Sequence, residues 1–119
     1  MEMDHRPWGW YKVLLDTPDY KVKEILVKPN SRLSYQFHHK RSEHWYIVQG
    51  EATVTLDDKN IVIKKGEYID IPALSKHRIA NNSKEDVIFI ETQTGEYFGE
   101  DDIVRVEDDY GRSNNTDLN

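Results

Sequence analysis

From Tyr20 onward the chain repeats one short unit: a run that alternates between apolar and polar residues, ended by proline, glycine, asparagine or aspartate. Tyr20, Val22, Glu24, Leu26 and Lys28 alternate with Lys21, Lys23, Ile25 and Val27, and Pro29-Asn30-Ser31 makes a turn. Further breaks fall at Gly50, Asp57 to Asn60, Lys64-Lys65-Gly66, Ala73-Leu74-Ser75 and Asn81-Asn82-Ser83. Successive side chains of a strand face opposite ways, so alternation is the signature of a half-buried strand. Units about ten residues apart, with turn chemistry between them, predict an all-β sandwich or barrel. The opening, Arg6 to Leu15, reads as one strand led in by Pro7, with Trp8 and Trp10 as packing residues. No helical periodicity precedes the C-terminal segment, and no internal repeat is present.

One stretch concentrates the chemistry. Gln36-Phe37-His38-His39-Lys40-Arg41-Ser42-Glu43-His44-Trp45 carries three of the five histidines, a glutamine, a glutamate and two basic residues. By parity Gln36 and His38 share one face, opposite Leu33, Tyr35 and Phe37. With Lys40 to Ser42 as a turn, Glu43 joins them from the next strand, while His44 faces away. Nitrogen and oxygen donors so arranged suit a divalent metal, and His77 is the candidate fourth ligand. With no cysteine in the chain, a thiolate site and a disulfide framework are both excluded.

At 119 residues the chain has room for one core, read as a single domain over 1–112 with a polar tail over 113–119. No apolar run is long enough to span a bilayer, and the first twenty residues lack the order of a signal peptide, so the expected compartment is the cytoplasm. A formal net charge of −6 argues against nucleic acid as a partner. Much of the acid lies in Glu96, Glu100, Asp101, Asp102, Glu107, Asp108 and Asp109, which makes His39-Lys40-Arg41 a local basic island suited to a small anion.

Two spacings resemble the paired motifs of the cupin family. Asn30, Gln36-Phe37-His38, Glu43 and Gly50 follow the first, with Asn and Gln replacing its leading Gly and His. Gly66, Pro72-Ala73-Leu74, His77 and Asn81 follow the second, with only its middle Gly lost. More narrowly, the chain resembles the C-terminal domain of type II phosphomannose isomerases, the domain fused to a mannose-1-phosphate guanylyltransferase in bifunctional bacterial enzymes. That likeness rests on Arg6 to Tyr11, Leu33 to His39, Arg41 to Trp45, Gly50-Glu51-Ala52, Ile71-Pro72, Lys76-His77-Arg78, Gly95-Glu96-Tyr97 and the tail from Glu100 to Arg112. It does not extend to nucleotide chemistry.

The resemblance implies an all-β cupin barrel, a double-stranded β-helix or jelly roll, with a short acidic C-terminal segment. It implies a metal-dependent isomerase that interconverts mannose 6-phosphate and fructose 6-phosphate through an enediol. Gln36, His38, Glu43 and His77 would hold the metal, zinc first, with manganese, iron, cobalt or nickel open. Glu43, Arg41 and Arg105 would be the catalytic groups, with His39 and His44 as further base candidates. Lys40, Arg41 and Arg105 would bind the phosphate, Arg105 being delivered by a tail folded over the pocket with its carboxylates outward. The alternatives are a non-catalytic cupin that binds a sugar or sugar phosphate, and a metal-dependent oxygenase. The aromatic residues Trp8, Trp10, Tyr35 and Phe37 point to a homodimer.

Overall fold

The computed structural model describes residues 3–110 and contains twelve strands and no helix among them. They are β1 (Asp4–Arg6), β2 (Gly9–Asp16), β3 (Tyr20–Val27), β4 (Ser31–Arg32), β5 (Tyr35–Phe37) and β6 (Arg41–Gln49). There follow β7 (Glu51–Leu56), β8 (Lys59–Lys64), β9 (Tyr68–Ile71), β10 (His77–Asn81), β11 (Val87–Gly95) and β12 (Val104–Glu107). One sheet runs β1-β2-β3-β11-β6-β9; the other runs β12-β5-β10-β7-β8, with β4 also paired to β10, and every pairing is antiparallel. This is the all-β architecture expected of alternating strands. No described segment forms a helix able to cross a membrane.

The inward faces of the three central strands change character along their length. On β3 the inward side reads Val27, Ile25, Lys23 and Lys21; on β11 it reads Val87, Phe89, Glu91 and Gln93; on β6 it reads Ile47, Trp45, Glu43 and Arg41. The ladder aligns these series, pairing Phe89 with Ile25 and Ile47, Glu91 with Lys23 and Trp45, and Gln93 with Lys21 and Glu43. The barrel interior is therefore apolar in one half and charged in the other. The apolar half joins Val27, Ile47, Val87 and Phe89 to Ala52, Val54 and Ile79 of the facing sheet, all fully shielded from solvent. Burial of this kind contributes about 25 cal/mol per Å² of apolar surface.

Asn81 closes that half. Wholly buried, its Nδ2 donates to the carbonyls of Val27 (2.9 Å) and Glu85 (2.7 Å), while its Oδ1 accepts from the Ser83 amide (2.9 Å) and hydroxyl (2.7 Å). All the hydrogen-bonding capacity that one side chain offers across the two sheets is thereby used.

Three local expectations change. Pro7 and Trp8 form the turn of a β1–β2 hairpin rather than the start of one strand, because the proline ring cannot donate to a ladder and Trp8 is drawn into the core. The run from Arg32 to His38 is broken between β4 and β5. The turn before β6 spans 38–40, so Arg41 and Ser42 are strand residues. Gly95, at φ 144°, makes room for that turn: a Cβ there would lie 2.3 Å from the Lys40 carbonyl oxygen.

The acidic C-terminal segment folds back as β12 and pairs with β5, placing Arg105 opposite Gln36. Its carboxylates do not all face outward. Glu100 ion-pairs with Lys23, and Asp102 accepts the backbone amides of His39 (3.1 Å) and Lys40 (2.9 Å). The expected polar tail over 113–119 lies outside the described residues. Trp8 and Tyr35, expected to mark a dimer face, are 1% and 7% exposed within the chain itself, so they offer no free surface.

Candidate metal centre

The polar half of the barrel holds three ligand-type side chains from three strands or strand ends. His38 follows β5, Glu43 lies on β6 and His77 opens β10; the pairing of His77 with Gln36 brings β10 beside β5. One donor atom from each of His38, Glu43 and His77 lies within 4.8 Å of the others, and all three residues are buried. His38 donates from Nδ1 to the Asp102 carbonyl (2.5 Å), and His77 from Nδ1 to the Ser75 carbonyl (2.9 Å). A carbonyl only accepts, so each neutral ring turns its Nε2 lone pair toward the centre, where that of His38 meets Arg41 Nη2.

Gln36 lines the same cavity, and its amide nitrogen is committed to Ser34 Oγ at 3.0 Å. Arg41 is 5% exposed, and its Nε donates to Glu43 Oε2 (2.9 Å) while Nη2 donates to His38 Nε2 (3.2 Å). The donor set thus already faces a positive charge in the guanidinium. Two neutral imidazoles, a carboxylate and an amide fit a divalent metal ion.

The charge states follow from burial and neighbours. Burial alone pushes the Glu43 carboxyl up, but the Arg41 guanidinium and then the two imidazoles outweigh it and hold the group well below the usual carboxylate range. Burial pushes His38 down to about 4, with Glu43 offsetting only part of the effect, and lowers His77 in the same direction. Next to Glu43, burial and then the Glu43 charge push Glu91 up. Trp45 Nε1 bridges the two carboxyls, donating to Glu43 Oε1 (2.9 Å) and Glu91 Oε1 (3.1 Å).

A depressed imidazole gives a pH dependence of defined sign. Between about 4 and the unfolded value of 6.5, the unfolded chain protonates a histidine that the folded chain keeps neutral. Glu91, kept protonated by burial and the Glu43 charge, acts in the opposite sense over the same window, but His38 and His77 together outweigh it, so stability must fall as pH falls through that window. In metal-free protein, urea midpoints should decline on acidification before ordinary carboxylates begin to titrate. A flat or rising midpoint there would contradict the buried neutral imidazoles.

The other expected groups sit elsewhere. Lys40 is exposed, with its Nζ 5.3 Å from the Tyr97 ring centroid, and Arg105 is buried on β12; neither lines the cavity. His39 is exposed, and His44 is on the outer face against Asp70 Oδ1 (2.6 Å). Of the base candidates, only Glu43 faces the cavity.

A family described as "Mannose-6-phosphate isomerase C-terminal" matches residues 2–108. The chain belongs to the mannose-6-phosphate isomerase C-terminal family. Over 109 residues it is 49% identical to the alginate biosynthesis protein AlgA of Pseudomonas aeruginosa, covering 92% of this chain but 23% of that protein. Among solved structures, the capsular polysaccharide assembling protein CapF of Staphylococcus aureus is similar at a TM-score of 0.78 and 26% identity, over 89% of this chain and 34% of that one. The Schizosaccharomyces pombe Cnp3 cupin domain superposes at a TM-score of 0.74 with 17% identity, over 80% of this chain and 69% of that one, and so shares the fold. The mannose-6-phosphate isomerase C-terminal domain seen here thus has the cupin fold.

Several residues of this isomerase-family cavity escape a reading by motif. Trp8, Tyr11, Lys23 and Glu91 line it beside the ligand-type residues. The available signal was parity: Lys21 and Lys23 fall in line with Ile25 and Val27, and Glu91 with Val87 and Phe89, which places charged residues on the core side of their strands.

Proposed function

We propose that this chain is a metal-dependent aldose–ketose isomerase domain that interconverts mannose 6-phosphate and fructose 6-phosphate. The buried cluster of His38, Glu43 and His77, within 4.8 Å of one another, carries the reading. Membership of the mannose-6-phosphate isomerase C-terminal family supports it. In this reading Gln36, His38, Glu43 and His77 hold a divalent ion, with zinc the first candidate. When bound, that ion supplies electrophilic stabilisation for the oxygen on which enediolate charge builds.

The remaining steps belong to the chain. Glu43 carries the negative charge of the centre and is the carboxylate assigned to proton movement between C2 and C1, a role it fills only off the ion or through an intervening water. Arg41 is a permanent cation in the cavity, assigned to the anionic part of the substrate. Lys40 and Arg105 raise the positive potential around it without contact, since neither lines the cavity. The walls of Trp8, Ile25, Trp45 and Ile79 limit water access to the reacting carbons. The reading places the protein in the cytoplasm, supplying sugar phosphate to polysaccharide synthesis, as a homodimer through the outer face where Tyr46, Val48 and Tyr68 are exposed.

The test is formation of fructose 6-phosphate from mannose 6-phosphate by the metal-loaded chain, abolished by chelator and restored by added metal, with the same preparation sedimenting as a dimer. Sugar-phosphate binding without turnover would leave a non-catalytic binding cupin. Oxygen uptake in place of isomerisation would transfer the chain to the oxygenases.

A further inference from the structure

Two lysines point into this barrel. Lys21 and Lys23 share the inward side of β3 with Ile25 and Val27, and Lys23 is 5% exposed. Lysine is almost never buried this far without a compensating partner. Here the partner comes from far along the chain. Lys23 Nζ hydrogen-bonds Glu100 Oε1, Lys21 Nζ lies 3.8 Å from the same oxygen, and Arg41 Nη1 lies 3.9 Å from Glu100 Oε2.

One carboxylate serves these three cations incompletely, the lysines' other contacts being the Phe98 carbonyl 3.5 Å from Lys21 Nζ and the Tyr11 ring centroid 4.5 Å from Lys23 Nζ. Arg41 spends its Nε on Glu43 and its Nη2 on His38, and its buried Nη1 makes no hydrogen bond. A carboxylate has two coplanar oxygens. A phosphate monoester has three terminal oxygens in a tetrahedral array and more charge, enough to take one contact from each cation. Glu100 is also the most exposed of the four groups, with its side chain 20% accessible against 5%, 7% and 11% for Arg41, Lys23 and Lys21. It sits in the turn between Phe98 and Ile103, two buried anchors, so its side chain can leave without unseating the segment. Lys23 and Arg41 line the same cavity as His38, Glu43 and His77.

We propose that Lys23 and Arg41 in the cavity wall, with Lys21 behind them on the same Glu100 oxygen as Lys23, form the anion subsite of this cavity, taking the phosphate monoester of the ligand, and that Glu100 is an internal stand-in displaced when that phosphate binds. The identity of the sugar rests on the isomerase reading; the subsite itself does not.

Calorimetry at fixed ionic strength separates the two. The probe is inorganic phosphate, followed by fructose 6-phosphate and fructose, on the 119-residue chain. Glu100→Gln removes the competing charge and should tighten inorganic phosphate binding by about tenfold. Lys23→Met should weaken it by at least about tenfold, and Lys21→Met, at a more exposed position, should weaken it in the same direction should Lys23→Met fail to fold. Fructose 6-phosphate should compete with inorganic phosphate, while fructose should not.

The subsite is overturned if a folded Glu100→Gln binds phosphate no more tightly than wild type, or if folded lysine variants bind it unchanged. It is equally overturned if no variant binds phosphate at all. A chain that shows this phosphate pattern but no isomerase turnover retains the subsite and loses only the reaction. Turnover with an unchanged KM in all three folded variants retains the reaction and removes the subsite.

Discussion

Glu43→Ala is expected to strip the chain of divalent metal and to lower its unfolding free energy by about 3–5 kcal/mol, the range for breaking a buried ion pair from one side. Arg41 Nε loses its acceptor at 2.9 Å, and Trp45 Nε1 loses Glu43 Oε1 at 2.9 Å and keeps only Glu91 Oε1 at 3.1 Å. Arg41 is 5% exposed and cannot turn to bulk water without moving the β6 strand that carries it. Its remaining neighbours do not replace the lost carboxylate, because its contact to His38 is to a neutral ring and Glu100 is 3.9 Å from Nη1.

Glu43→Gln separates the two losses. The amide oxygen can still accept one of those hydrogen bonds, so most of the stability should return while the negative charge needed for the ion does not. Elemental analysis after dialysis, combined with urea unfolding, reads both quantities. Stoichiometric metal in a Glu43→Ala protein of wild-type urea midpoint would remove the centre altogether.

The second large effect belongs to Trp45, which stands where the apolar and charged halves meet. Its ring packs against Phe89 at 5.3 Å and edge-on to His77 at 5.6 Å, while its indole N–H spans Glu43 and Glu91. Trp45→Ala should cost about 3–5 kcal/mol of stability through the cavity it opens. It should also weaken metal binding, because the carboxylate of Glu43 is no longer held in place. Trp45→Phe keeps most of the packing and deletes the donor alone. Its predicted signature is a metal affinity about tenfold lower, as expected for removing a group that orients a ligand, with a small stability change. Metal titration of the two variants against wild type tests this, and an unchanged affinity in Trp45→Phe would assign the tryptophan to packing alone.

The ligand-type residues could be read from sequence because a cluster built on strands constrains spacing. His38 and Glu43 must straddle one short turn, and His77 must arrive on a strand that pairs beside them, as it does opposite Gln36. The strand rhythm was equally legible, since turn chemistry and alternation are local. What alternation leaves undetermined is the sense of a mixed strand. Parity puts Lys21 and Lys23 on one face with Ile25 and Val27, and the register with Glu91 and Gln93 makes that face the inner one.

The C-terminal segment does fold back as expected, but where its carboxylates go was not legible, for a related reason. Its acidity resembles a solvated end, yet Glu100 has its partners on β3 and Asp102 has its partners in the 38–40 turn, all about sixty or more positions earlier in the chain. Pro7 misled in the opposite way. A proline can lead in an edge strand or sit in a turn, and only the burial of Trp8 decides between them.

The crosswise division of the interior also bears on redesign. Val27, Val54, Val87 and Phe89 keep the shell closed without meeting any reacting group, and residues two to four places along the same strands determine what the vessel does. An engineer could exchange the contents of the open end while the sealed end goes on supplying the rigidity that any new chemistry would require.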